Sequence, residues 1–222
     1  IKFVATGGVL SETAAGTGQQ FFNDEVKAII DTAHQLGRKV TAHAHNADGI
    51  NAALRAGVDS IEHGTFSDKE SLDLFKKTGA YFIPTLLAGA TVSDIAADEN
   101  SFFVQSVRDK AKEVGPQMID TLSLVYKKGI KIAFGTDSYV SKHGLNATEF
   151  GLLVQAGLSP TEAIKTATIY GADNLGKSDV LGSIEAGKFA DIVAVHGDPT
   201  KDITELMDID FVMKEGVVYK NK

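Results

Sequence analysis

A chain of 222 residues with 43% apolar and 23% charged side chains has the composition of a globular protein and can bury a substantial core. Its 22 basic and 29 acidic residues leave a formal charge of −7, and no run of Lys or Arg forms the stripe that a phosphate backbone requires, which argues against nucleic acid as a partner. No apolar run reaches the roughly 18 to 20 residues that cross a bilayer, and with no Cys any bound metal must be held by His and carboxylates.

The chain opens on Ile1-Lys2-Phe3-Val4-Ala5, which reads as a strand already in progress; no turn or cap precedes it, so an N-terminal part is expected upstream. The cell compartment is left open, cytoplasmic or exported. From residue 21 amphipathic helices alternate with short apolar strands, the pattern of a parallel sheet wrapped in helices. Asn23 is a candidate cap for a helix to about Leu36, and Gly37 ends it before a strand at 39–45. Asp48 precedes a helix at 49–56, followed by a strand at 60–63. Ser67-Asp68 caps a helix from Lys69 to about Lys77, and a strand at 81–85 ends near Pro84.

Residues 88–100 read as irregular, and a long helix from about Phe102 to Lys128 is interrupted by Gly115-Pro116. A strand at 131–135 leads into a loop from Thr136 to Asn146, then helices at about 147–156 and 160–174, with Ser159 as cap and Pro160 in the first helical position. From Leu181 the spacing changes to short strands at 182–184, 190–195 and 211–219, with Glu215-Gly216 suited to a hairpin turn. Five parallel strands predict an α/β fold. The reading is a (β/α)₈ TIM barrel whose other strands lie in an absent N-terminal part; the alternative is a shorter open sheet. Residues 1–180 are assigned to the barrel and 181–222 to a small β module.

In such barrels the working residues stand at the C-terminal ends of the strands, where this chain has Lys2, His43, His63 and, just beyond Phe134-Gly135-Thr136, Asp137. A single histidine there is more often a hydrogen-bonded structural residue than a ligand. Two on successive units, joined by an Asp, change that balance toward Zn²⁺, Mn²⁺ or Fe²⁺. His43 and His45 lie two apart and point the same way. His43 is assigned to the metal and His45 to substrate, the reverse remaining open. Lys2 as an ammonium cannot ligate a cation, but a desolvated lysine beside metals can add CO₂ and become a bridging carbamate. His143, in the loop after Asp137, is a candidate substrate contact or simply exposed. Tyr81 and Arg55 could meet a substrate carboxylate, with packing and surface roles equally open. His34 and His196 read as structural or solvated, and Gly7-Gly8 as a close backbone approach rather than a phosphate loop.

Lys2-Phe3-Val4-Ala5-Thr6-Gly7-Gly8-Val9-Leu10-Ser11, Thr41-Ala42-His43-Ala44-His45, the run Ser60-Ile61-Glu62-His63-Gly64-Thr65 and Phe134-Gly135-Thr136-Asp137 resemble the amidohydrolase superfamily. The tail, with Gly157-Leu158-Ser159-Pro160-Thr161-Glu162-Ala163 and Glu185-Ala186-Gly187-Lys188-Phe189-Ala190-Asp191, is similar to its imidazolonepropionase-like and Xaa-Pro or Xaa-Arg dipeptidase branch. The resemblance implies two divalent metal ions, Zn above all, with carboxylated Lys2 bridging, His43 and His63 on one ion and Asp137 on the other. It implies hydrolysis of a C–N bond in a dipeptide or N-acyl amino acid by a metal-bound hydroxide, Asp137 relaying the proton; a cyclic amide or a non-catalytic scaffold are the alternatives. The family's His-x-His pair on its first strand has no counterpart here, so the chain alone is expected to be weakly active or inactive unless an N-terminal segment completes it. Without that segment the strands of 181–222 should show unpaired edges. A homo-oligomer is compatible with this reading.

Overall fold

In the computed structural model, which describes residues 1–12 and 16–222, four parallel strands lie side by side in chain order. They are β1 (Lys2–Val4), β2 (Thr41–Asn46), β3 (Ser60–Phe66) and β4 (Tyr81–Ile83). Helices α1 (Asn23–Gln35), α2 (Ala47–Ala56) and α3 (Lys69–Thr78) make the crossovers, so each neighbouring strand pair is one βα unit of a barrel arc. Each helix is fixed by an apolar stripe and its ends. α1 buries Val26, Ile30 and Ala33, one face at helical spacing. Asp68 accepts from Ser71 N–H at 2.8 Å to start α3. Asn23 does not cap α1: it is already the first helical residue, and the Glu25 carboxylate accepts from Phe22 N–H at 2.8 Å instead.

Residues 131–135 contribute less than the expected fifth strand. A single parallel bridge joins Phe82 and Ile132, with Phe82 N–H donating to Lys131 O and Ala133 N–H to Phe82 O. The ladder is not extended on that side, where the next donor after Phe82 would be Pro84, which has no N–H to donate; Phe134 N–H, turned the other way by alternation, donates to Thr166 O at 3.0 Å. The segment read as irregular is instead helix α4 (Leu86–Ala97). Leu86, Leu87, Ala88, Gly89, Val92 and Ala96 are all buried in it, and a helix apolar on most sides offers no polar face from which to read a period. It lies against α5 (Gln105–Lys127), which runs through Pro116 as one helix.

Helices α6 (Thr148–Gln155), α7 (Pro160–Ala167) and α8 (Ile169–Leu175) follow. Ser159 caps α7 with Pro160 at its start, but the helix expected to reach 174 breaks at Thr168, whose φ of −118° and ψ of −92° leave the helical region. Lys39 Nζ, at the foot of β2, donates to the last carbonyls of α8 at Asp173 and Asn174. An antiparallel sheet of β5 (Ile192–Ala194), β6 (Phe211–Lys214) and β7 (Val217–Asn221) closes the described chain, and residues 182–184 form no strand. Glu215 and Gly216, at φ 50° and 81°, make the two-residue turn with both central residues left-handed. Among the described residues β5 and β7 have no partner on their outer sides. No helix is long and apolar enough to cross a membrane, again among the described residues.

Candidate metal centre

Three imidazoles meet at the C-terminal ends of β2 and β3. His43 and His45 reach the same side of β2 by the two-residue period of a strand. His63 arrives by another route. In the β2–β3 register Glu62 stands opposite His43, and His63 stands opposite Ala44. Regular alternation would therefore turn His63 to the other face. Its backbone is left-handed instead, φ 70°, as is Gly64 at φ 60°, and the ring swings back over β2. His63 Nε2 lies 2.9 Å from His43 Nδ1, and the His45 ring stacks on His63 with centroids 4.7 Å apart.

The outer nitrogens are held by hydroxyls. His63 Nδ1 is 2.6 Å from Thr85 Oγ1, and His45 Nδ1 is 2.8 Å from Thr65 Oγ1. His45 N–H also donates to Thr6 Oγ1. His43 Nε2 is buried with no hydrogen-bond partner. Burial holds all three rings below the ordinary imidazole range: His45 down to about 3 with help from His43, His63 well below with help from its neighbours, and His43 with help from the Lys2 ammonium. Neutral imidazoles present lone pairs, and one nitrogen from each ring falls within 4.8 Å of the others. A cation would satisfy the orphaned His43 nitrogen and use this donor set, so the residues fit Zn²⁺ or a similar ion.

Asp137 is exposed on the loop after Gly135, with φ 50°, and lines the same cavity of about 140 Å³ as the three histidines. Val9, Val92, Val114, Met118 and Val140 give that cavity an apolar wall. Lys2 is exposed, on β1, which has no strand on its far side among the described residues. It lines a separate cleft of about 1180 Å³ with Thr41, Glu62 and Gly135. Burial raises the Glu62 carboxyl despite a 2.9 Å bond from Thr41 Oγ1 and the nearby Lys2 charge. His143 is exposed in the 136–146 loop and does not line the histidine cavity.

Arg55 pairs with Glu70, and Tyr81 donates to Asp173 at 2.5 Å, both away from the cavity. His34 and His196 bind Asp59 and Asp210 near the surface. Gly7 makes its close approach to the backbone of Gly16, while Gly8 borders His43 Nε2. Sequence reasoning did not find Thr65, Thr85 or Glu62. The first two had a readable signal, a hydroxyl near the C-terminal end of a strand: Thr65 next to last in β3 and Thr85 two positions beyond β4.

Residues 1–219 match the amidohydrolase family as a whole. The chain belongs to the amidohydrolase family. A solved Xaa-Pro dipeptidase with methionine bound in its active site is 47% identical, with a TM-score of 0.96 over 99% of this chain and 54% of that one. Ochratoxinase of Aspergillus niger is 30% identical over 225 residues, covering 99% of this chain and 46% of its own. The imidazolonepropionase of Fusobacterium nucleatum subsp. nucleatum is 29% identical over 178 residues, 78% of this chain and 38% of its own. The chain thus spans about half the length of ochratoxinase, and the parallel arc is shared with the larger family members.

Proposed function

We propose that this protein is a metal-dependent hydrolase of C–N bonds, acting on dipeptides of the Xaa-Pro kind ahead of other N-acyl amino acids. One observation carries the reading: three buried or half-buried histidines cluster with one of their nitrogens, His43 Nε2, left without a partner, in a cavity that Asp137 also lines. In this reading His43, His63, Asp137 and Lys2, as a carbamate, would hold two divalent ions; Lys2 stands near enough for its charge to act on both His43 and His63. Bound metals polarise the scissile carbonyl and activate water near neutral pH.

The chain's own residues supply the rest. Asp137 accepts a proton from the attacking water and returns it to the leaving amine. His45, held by Thr65, would face the substrate, and His143, exposed on the 136–146 loop outside the histidine cavity, would reach only a part of the substrate that extends beyond that cavity. The apolar wall from Val9 to Val140 receives an aliphatic side chain and excludes water. Likeness to the methionine-bound dipeptidase and to a prolidase 29% identical with a TM-score of 0.89 supports a dipeptide, while likeness to ochratoxinase supports a bulkier amide.

The test is a panel of Xaa-Pro and Xaa-Arg dipeptides, N-acyl amino acids and lactams, offered to the intact protein before and after chelation. Release of proline that chelator abolishes and Zn²⁺ or Mn²⁺ restores is expected. Turnover of lactams alone would move the assignment to cyclic amides, and no turnover with any metal would favour a non-catalytic scaffold.

A further inference from the structure

Helix α4 begins without a cap of its own. Its N-cap residue is Thr85, a residue type whose hydroxyl ordinarily accepts from an N–H two or three positions on, yet Thr85 makes no such bond. That hydroxyl is turned to His63 Nδ1 at 2.6 Å. The open donors of the first turn are met from elsewhere. Leu86 N–H donates to Glu149 Oε1 at 2.8 Å and Leu87 N–H to Glu149 Oε2 at 2.7 Å. Glu149 stands on α6, more than 60 residues away in sequence, and is fully buried.

The backbone of Thr85 makes the arrangement more telling. Its φ of 50° and ψ of 43° are left-handed, unfavourable for a β-branched residue and stable only where the surroundings over-determine them. Glu149 grips the two peptide N–H groups that follow Thr85, and Ala88 N–H donates back to Thr85 O at 3.1 Å. If one of the two Glu149 contacts were lost, the orphaned N–H would compete for the nearest acceptor, the Thr85 hydroxyl.

We propose that Glu149 is a positioning residue for the histidine cluster: by capping α4 in place of Thr85 it leaves the Thr85 hydroxyl to His63 Nδ1. With Thr85 Oγ1 accepting from Nδ1–H, the Nε2 lone pair of His63 faces the cluster at His43 Nδ1, 2.9 Å away. The consequence for metal affinity rests on the functional reading above; the tautomer does not.

The experiment uses the intact protein and two readouts. Long-range ¹H–¹⁵N spectra of the metal-free protein give the His63 tautomer, and calorimetric titration gives the affinity for Zn²⁺. Wild type and Thr85→Ser are expected to hold one tautomer, with Nδ1 protonated. Glu149→Gln and Thr85→Val should each give a mixture and bind Zn²⁺ about 10- to 100-fold more weakly. Because the two act in series, the double variant should be no worse than Thr85→Val alone. Should Glu149→Gln not fold, Glu149→Asp keeps the charge, withdraws it by one methylene and carries the same expectation.

A Glu149 variant that melts earlier but keeps tautomer and affinity would overturn the proposal, as would losses that simply add in the double variant. A wild type that takes up no Zn²⁺ would remove the functional reading and leave the tautomer comparison to decide this one.

Discussion

His63 Nε2 approaches His43 Nδ1 to 2.9 Å although the sheet register sets Glu62, not His63, beside His43. The contact depends on a left-handed pair, His63 at φ 70° and Gly64 at φ 60°. Gly64 is pressed against the Phe82 ring, which is itself fully buried.

Gly64→Ala should therefore be costly twice, through a Cβ at positive φ and through collision with Phe82. A loss on the order of 2–4 kcal/mol is expected in denaturant unfolding. Zn²⁺ binding should weaken with it, because relief of the strain returns His63 toward the opposite face. A stability within 0.5 kcal/mol of wild type, about the scatter of a surface change, would show that the turn is not what seats the ring.

Thr65→Val removes the hydroxyl partner of a buried ring and leaves His45 Nδ1 unsatisfied. Unfolding free energy should fall by about 1–3 kcal/mol. Thr65→Ser should recover most of it, and if it did not, packing rather than the hydrogen bond would be the cause.

Asp137→Asn keeps the shape of the loop and removes the proton acceptor. With the intact, metal-loaded protein kcat on an Xaa-Pro dipeptide should drop about 10²- to 10⁴-fold with little change in KM. A rise in KM at constant kcat would make Asp137 a binding group instead.

Glu149 gives a pH signature separate from the metal. Burial pushes its carboxyl up from 4.5 to about 7, outweighing the two backbone N–H bonds that favour the charged form. Below 4.5 both folded and unfolded chains carry the proton; between there and about 7 only the folded chain keeps it. Stability from this group is thus full at low pH and falls as pH rises through 7, by on the order of 3 kcal/mol. Chemical denaturation from pH 4.5 to 8 should show that slope, and Glu149→Gln should flatten it. An equal slope in the variant would assign the effect to other groups.

Much of the architecture was readable because it is written locally. Asp68, Ser159 and Pro160 start helices, Gly37, Gly57 and Gly79 follow their ends, and the Ala-His-Ala-His spacing of β2 carries His43 and His45 to one side. What stayed hidden depends on contacts far apart in the chain. Helix α4 is apolar on most sides and shows no period, and residues 131–135 reach β4 through a single bridge between Phe82 and Ile132. His63 looked suitable by residue type, yet strand alternation alone would have pointed it away. Neither Thr85 nor Glu149 could be linked to the cluster from sequence, since their bonds span more than 20 and 60 residues.

The most direct test of the account is the metal content of the intact protein after loading with Zn²⁺ and bicarbonate and exhaustive dialysis, with the intact mass of the same sample. About two ions per chain are predicted, with mass added at Lys2 as a carbamate and a lower metal content in both His43→Ala and His63→Ala. No retained metal and an unmodified Lys2, in a protein shown to be folded, would contradict it.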